Sequence, residues 1–265
     1  MDKEYTKSYS LSKEEMNGMS KRFSYATTTD KGSKIFESST TDDVYTHDDK
    51  ELDDKTNDEQ RKTNDGCQSC NPSIICLSTD EQFKCAFRKC REVFYDKLLD
   101  YGASWRIMRP QSVTDQIYIK ANRIRSIEES NGVTMVNEGV LPEFIGIVNY
   151  GIIGLIQLVR GYSKDGTDMS TKEVLDLYEK YATISFELMQ KKNHDYDEAW
   201  RMMRICSYTD LILMKICRTK SIESNNGKTK VSEGIDANYL DMINYAIFGI
   251  IKLLEEEETV NDEKK

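Results

Sequence analysis

Hydrophobic residues recur at helical spacing from about residue 79 onward, whereas the first 65 residues show no such period. Apolar side chains that return every three to four positions lie on one face of a helix. A clear example of this spacing is the set Ile145, Val148, Ile152 and Ile156. Only the short Val-Thr-Met-Val stretch at 133–136 resembles a strand. The pattern therefore predicts an all-α protein.

The C-terminal two-thirds of the chain is a tandem duplication. Residues 100–157 align with residues 195–252 at a constant offset of 95 without a gap, and 26 of the 58 positions are identical. Both copies contain Trp-Arg-x-Met-Arg and, later, Asn-Gly-x-Thr-x-Val-x-Glu-Gly. A fixed internal period is the signature of a repeat architecture. Polar residues retained in both copies are therefore candidates for a shared role.

Each copy predicts three main helices. Capping boxes, Ser78 with Glu81 and Ser170 with Glu173, indicate first helices at about 79–99 and 171–193. We predict that the second helices begin after the N-caps Thr114 and Thr209 and end at Asn-Gly 131–132 and 226–227. The third helices should span about 139–159 and 234–255, and a short helical turn is expected at 105–109.

Neither three-helix unit can bury its apolar face well alone, so we expect the two copies to pack as a pseudo-dimeric helical bundle. The N-terminal segment is too polar to bury a core and is expected to be disordered. The predicted boundaries are a tail and linker at 1–77, repeat one at 78–160, a connection at 161–170, repeat two at 171–258 and a charged tail at 259–265.

Charge and composition restrict the partners. A net charge of −9 argues against a surface for a nucleic-acid duplex, because phosphate backbones attract clustered Lys and Arg. No apolar run reaches the roughly 18 residues of a membrane span, and no signal-peptide core is evident. We therefore expect a cytoplasmic protein without a membrane partner, either a monomer with an internal pseudo-dimer or a homodimer.

Five of the seven cysteines lie between Cys67 and Cys90. Cys67 and Cys70 have the spacing of zinc ligands, but no second pair or nearby histidine pair completes such a site. Reduced thiols without a metal are the favoured interpretation, and structural zinc is the alternative.

Basic residues repeated in both copies are candidates for phosphate binding. Lys-x-x-Arg places two cations on one helix face, and Arg offers a bidentate fork to phosphate. The candidate set is Arg109, Lys120, Arg123, Arg204, Lys215 and Arg218. The alternative is a solvated helix face with ion pairs to nearby carboxylates.

Acidic residues near the third helix of copy two are candidates for magnesium binding: Glu233, Asp236 and Asp241. An aspartate within an apolar stripe, as at Asp241, is costly unless it is paired or bound to a cation. Copy one has Gly146 at the position of Asp241 and Glu143 at that of Asn238, so copy two is the better metal candidate. The alternative role of Glu233 is to complement the helix dipole.

Aromatic residues at Trp200 and Tyr245 are candidates for stacking on a base. Because they recur at helical spacing, they could instead belong to the core.

The run Lys192-Asn193-His194-Asp195-Tyr196, followed by Ala-Trp, Lys-x-x-Arg and Asp241-Met-Ile-Asn-Tyr, resembles the nucleotide modification associated domain 1 family. The resemblance covers about residues 80–255 and implies a link to nucleotide or modified-nucleotide metabolism. More loosely, the helix with Asn238-x-x-Asp241 is similar to that of MazG-like nucleotide pyrophosphohydrolases, which are all-helical and use magnesium.

Two functions are consistent with these features. One is a nucleotide-handling protein, including a magnesium-dependent nucleoside phosphate hydrolase in which the metal polarises phosphoryl oxygens and activates water. The other is a non-catalytic binding or scaffold protein whose retained polar residues form an ion-pair network between the copies.

Overall fold

The computed structural model describes residues 73–130, 132, 138–229 and 233–263. These residues form six α-helices and three short 3₁₀ turns, with no strand among them. The helices are α1 (Thr79–Tyr101), α2 (Pro110–Glu129), α3 (Leu141–Arg160), α4 (Thr171–Tyr196), α5 (Ile205–Ser224) and α6 (Ile235–Glu263). The 3₁₀ turns are Ile74–Cys76, Ser104–Ile107 and Ala199–Met202. The all-α prediction is confirmed; residues 1–72 and the stretch at 133–136 lie outside the described residues.

The predicted N-cap serines start the first helix of each repeat, and the full capping box forms at α1. The Ser78 hydroxyl accepts the N–H of Glu81, whose carboxylate accepts the N–H of Ser78 at 2.9 Å. Ser170 accepts the N–H of Glu173 at 3.2 Å. Since each cap satisfies donors that the first turn leaves free, α1 and α4 begin where the sequence indicates.

Glycines after the second helices terminate them as predicted. Gly132 and Gly227 have φ of +83° and +74°, a region that glycine enters without strain. Their N–H groups donate to the carbonyls of Ile127 and Ile222, both at 2.9 Å. This left-handed cap ends α2 and α5 and turns the chain toward the third helix.

The predicted N-caps of α2 and α5 were wrong. These helices begin at Pro110 and Ile205, so Thr114 and Thr209 lie buried inside them. Proline at the first helical position favours the earlier start of α2, because that position needs no N–H partner. The threonine hydroxyls instead bond to glutamates of the other repeat.

The C-terminal helix is longer than predicted, since α6 extends to Glu263 through the segment expected to be a charged tail. Its Glu258 carboxylate accepts the hydroxyl of Ser73 and, at 3.1 Å, the N–H of Ile74. These bonds hold the last turns of α6 against the 3₁₀ turn before α1. They also place residues 73–76, predicted as linker, in the folded part.

The first repeat (α1–α3) and the second repeat (α4–α6) pack as a pseudo-dimer. α3 and α6 lie against each other at the centre, α2 packs on α3, α5 on α6 and α2 on α5, while α1 and α4 flank this core. The Tyr239 ring fills the space beside Gly154, where an added β-carbon would lie 2.7 Å from Cζ. The equivalent pair, Phe144 and Gly249, makes the reciprocal contact at 2.9 Å. Reciprocal contacts of this kind identify a two-fold interface.

Polar contacts between α2 and α5 follow the same pseudo-symmetry. Thr114 donates to Glu223 at 2.7 Å, and Thr209 donates to Glu128 at 3.0 Å. On the exposed side two ion pairs repeat the exchange, Lys220 with Asp115 and Arg125 with Asp210. Asp115 is equivalent to Asp210 and Arg125 to Lys220 at the offset of 95, so each repeat contacts the other through the same surface.

Helix α3 is long and apolar enough to cross a membrane by length and composition. In the protein, 72% of its apolar window is buried against the other helices. A central bundle helix passes the same test, so the test is weak evidence for a span.

Candidate functional site

A cleft of about 670 Å³ lies in the first repeat between α1, the 3₁₀ turn at Ser104–Ile107, α2 and α3. We call it the first-repeat cleft. The lining residues that bear on its chemistry are Lys97, Tyr101, Trp105, Lys120, Glu143 and Tyr150. Pockets that enclose small ligands span about 300–1,000 Å³. The cleft is therefore large enough for a nucleotide-sized molecule.

Three aromatic side chains line the first-repeat cleft. Trp105 is 9% exposed, Tyr101 is 56% exposed and Tyr150 is half-buried. Burial raises the pKa of both tyrosine hydroxyls, and the neighbouring Tyr150 raises that of Tyr101 further. Both tyrosines are therefore neutral at pH 7, and their rings offer apolar surface to a flat ligand.

Asn149 borders the cleft but has a structural role. Its amide donates to the carbonyl of Cys90 at 3.0 Å, and its oxygen accepts the hydroxyl of Tyr178 at 2.9 Å. The asparagine thus ties α3 to both flanking helices. In the second repeat the equivalent Asn244 accepts a hydrogen bond from the hydroxyl of Ser185 at 2.6 Å. Ser185 is itself equivalent to Cys90. This contact explains why both copies retain the asparagine.

The charged side of the first-repeat cleft centres on Glu143, whose side chain is 7% exposed. Lys120 Nζ lies 3.3 Å from its Oε2, and Arg123 pairs with its other oxygen. Arg123 also reaches Glu138 at 3.2 Å. The predicted cations Lys120 and Arg123 therefore converge, and they share a buried carboxylate.

The corresponding group in the second repeat centres on Asp241, with a side chain that is 6% exposed. Lys215 Nζ lies 2.6 Å from Oδ2, and Lys192 Nζ lies 2.5 Å from Oδ1. Burial disfavours the charge on Lys192, but Asp241 outweighs this effect and raises the pKa of the ammonium group. Both oxygens of Asp241 are thus held by lysines.

Comparing the repeats shows that the carboxylate has moved by one helical turn. Lys120 and Lys215 are equivalent, yet Glu143 is equivalent to Asn238, and Gly146 to Asp241. Residues three apart on a helix share a face, so each carboxylate still reaches its lysine. Both repeats therefore keep a lysine–carboxylate pair with the acid on the third helix.

Lys97 was missing from the predicted set although it lines the cleft. It is the equivalent of Lys192, which holds Asp241. Extending the offset of 95 by three residues beyond the aligned segment would have identified it.

The remaining predicted phosphate ligands do not converge on the cleft. Arg109 and Arg204 are exposed at the starts of α2 and α5, and neither Arg109 nor Arg123 lines the cleft. Arg218 is half-buried, and it forms no ion pair with the part of the chain that the structure describes. Of the six predicted cations, Lys120 is the one that lines the first-repeat cleft.

The predicted carboxylate trio does not fit a magnesium ion. Among the described residues, no three Asp, Glu, His or Cys side chains are grouped to hold a metal. Glu233 is exposed, burial raises the pKa of Asp236, and two lysines occupy Asp241. The looser similarity to MazG-like enzymes, which rests on such a carboxylate set, gains no support from this geometry.

The aromatic prediction divides between its two residues. Trp200 is 6% exposed and stacks on Phe248 with 4.5 Å between the ring centroids. The Arg201 guanidinium lies 4.3 Å from the centroid of the Trp200 ring. Its ring therefore belongs to the core and is not open to a base. Tyr245 is half-buried, and burial and then Asp241 raise the pKa of its hydroxyl. It keeps an accessible surface beside the lysine-bound carboxylate.

Several buried polar atoms of the second repeat have no protein partner within the described residues. They are Asn193 Oδ1, Trp200 Nε1, Thr219 Oγ1, Asn238 Oδ1 and Asn244 Nδ2. Four of the five residues, all except Thr219, are equivalent to lining residues of the first-repeat cleft. Buried polar groups in folded proteins usually have a bonding partner, so this region of the second repeat is polar.

The cysteines of the described region are free thiols, and burial raises the pKa of Cys90. Cys67 and Cys70 lie outside the described residues, so their zinc alternative stays a prediction.

Comparison with known proteins agrees with this geometry. No curated protein and no solved structure matched the chain. The family model of nucleotide modification associated domain 1 matched twice, at residues 97–158 and 192–253. The two matches coincide with the duplicated segments and include the lysine–carboxylate pair of each repeat. The chain therefore carries two tandem copies of nucleotide modification associated domain 1.

Proposed function

We propose that this protein binds a nucleoside phosphate in the first-repeat cleft. Support comes from the family match, whose name associates the domain with nucleotide modification, and from the cleft itself. All six residues named as lining the cleft lie within the matched segment 97–158.

One observation carries the proposal: aromatic rings and two ammonium groups line the same cleft. A nucleotide combines a flat, weakly polar base with an anionic phosphate. Tyr101 and Tyr150 supply surface for the base, and aromatic stacking stabilises a bound base by about 1–3 kcal/mol. Lys97 and Lys120 supply the charge for phosphate. Each half of the ligand thus has a matching part of the cleft.

Binding is a better match to this geometry than magnesium-dependent hydrolysis. A carboxylate that holds a metal must have free oxygens, whereas the buried carboxylates of both repeats are paired with lysine. The scaffold alternative accounts for the retained polar contacts between α2 and α5 but not for these lysine–carboxylate pairs, because the pairs lie within each repeat. Other ion pairs connect the repeats, among them Arg125 with Asp210 and Lys220 with Asp115 between α2 and α5, and Arg91 with Glu179 between α1 and α4.

A thermal-shift and calorimetric screen of nucleotides, with and without magnesium, tests the proposal. Binding to the native state raises its unfolding midpoint. Lys97→Met should lower the affinity for the nucleotide found in the screen about tenfold, which corresponds to the loss of one charge-assisted hydrogen bond. Lys172→Met, which removes an exposed lysine on α4, is the matched control and should bind normally.

Phosphate release is measured in the same samples. Failure of every nucleotide to shift the midpoint would contradict the proposal. Turnover that requires magnesium and is abolished by Asp241→Asn would instead support the hydrolase function.

A further inference from the structure

The two repeats differ at the one position that decides what faces the paired lysines. In the second repeat Asp241 projects its carboxylate between Lys192 and Lys215. In the first repeat the equivalent position is Gly146, which has no side chain. A β-carbon added there would lie 2.6 Å from Lys120 Cδ and 2.8 Å from its Nζ, so the lysine stem occupies the place where the aspartate side chain would begin.

Lys97 is the lysine that has lost its partner through this difference. Its equivalent Lys192 is held by Asp241, whereas Lys97 forms no ion pair with the residues that the structure describes. Glu143 does not replace that partner, because its oxygens pair with Lys120 and Arg123. A cation therefore faces the cleft beside a position without the carboxylate.

We infer that the anionic group of the ligand takes, between Lys97 and Lys120, the place that the Asp241 carboxylate takes in the second repeat. This inference rests on the proposed function, and it makes the second repeat a site closed by its own side chain. One chain then binds one ligand, in the first repeat.

The charges near the cleft also select the class of ligand. Lys97 and Lys120 line the cleft with Glu138 and Glu143. Arg123 lies outside the lining but pairs with both glutamates, so the five groups together carry a net charge of +1. A monophosphate carries about two negative charges at neutral pH and leaves about one of them unpaired, whereas a triphosphate with about four leaves about three unpaired in a partly buried site. The ligand is therefore a nucleoside monophosphate.

The decisive experiment places the missing carboxylate in the first repeat. Gly146→Asp should pair with Lys97 and Lys120 and reduce nucleoside 5′-monophosphate affinity at least tenfold in calorimetry. Gly146→Asn adds nearly the same volume without charge and is the matched control. It should retain more affinity than the aspartate variant. Equal losses in both variants would show that bulk alone blocks the cleft, which would overturn the inference.

The reverse change should open the second repeat. The double variant Asp241→Gly with Asn238→Glu gives the second repeat the same residues that the first repeat has at Gly146 and Glu143. The new glutamate keeps a carboxylate partner for Lys215. The expected stoichiometry rises from one to two monophosphates per chain, and a value that stays at one would overturn the inference.

The corresponding 5′-triphosphates serve as the second ligand series, and tighter binding of triphosphate would reject the monophosphate assignment. These results are separable from the proposed function. If the wild-type chain binds no nucleotide at all, that function fails; if it binds but Gly146→Asp binds equally well, only the inference fails.

Discussion

Asp241→Asn is the most informative single change for the energetics of the site. The substitution keeps the size of the side chain but removes the charge that faces two lysines. Lys215 has a side chain that is 10% exposed, so it cannot recover full hydration after losing its partner. Lys192 is 41% exposed and can turn toward water. The cost therefore falls mainly on Lys215.

Breaking a buried ion pair by removing one partner costs about 3–5 kcal/mol, because the remaining charge stays uncompensated. For a folded region of this size, 1 kcal/mol shifts the melting temperature by about 2–4 °C. We therefore expect Asp241→Asn to lower the melting temperature by roughly 6–20 °C. The protein should remain folded at room temperature, since domains are typically stable by about 5–15 kcal/mol.

Urea unfolding followed by circular dichroism measures the loss in free energy of unfolding, and Glu143→Gln is the comparison variant. The partners of Glu143, Lys120 and Arg123, are 25% and 29% exposed, so they recover more hydration, and the loss should be smaller. A change below about 0.5 kcal/mol for Asp241→Asn, typical of exposed positions, would refute the burial argument.

Two further predictions concern the interface between the repeats. Gly154→Ala should destabilise the protein more than Gly249→Ala, because the added carbon lies 2.7 Å from Tyr239 in the first variant and 2.9 Å from Phe144 in the second. Overpacking costs about 1–3 kcal/mol. Urea unfolding measures both losses, and equal losses would contradict this prediction. Burial raises the pKa of Glu223 above 4.5, so its charge costs stability as the pH rises through the folded-state pKa. Glu223→Gln should therefore raise the melting temperature at pH 7 but not at pH 4, and a shift that is the same at both values would refute it.

The fold was largely predictable because it depends on local signals and on the duplication. Capping boxes, Asn-Gly terminators and apolar periods act within a few residues, and each is visible in the sequence. The failures at Thr114 and Thr209 have a tertiary cause. Their hydroxyls bond to glutamates more than 80 positions away, so no local pattern distinguishes them from caps.

The site was less predictable than the fold. The sequence identified Asp241 as an acidic residue in an apolar stripe that requires a partner, and it named Lys120 and Lys215 as cations for phosphate or for ion pairs with nearby carboxylates. It could not show that lysines, rather than a metal, are those partners of Asp241, because that choice depends on how α4 packs beside α6. Likewise, Trp200 appears as a stacking candidate in sequence, but its burial against Phe248 is set by tertiary packing.

Joining the two repeats in one polypeptide has a consequence for how such a protein can evolve. In a dimer of identical subunits, any substitution appears on both sides of the axis, so losing the aspartate would affect both lysine pairs at once. Here the segment at 161–170 links two separately encoded halves. One half can keep an internal counter-ion while the other gives it up, and the reciprocal packing at Gly154 and Gly249 continues to hold them together.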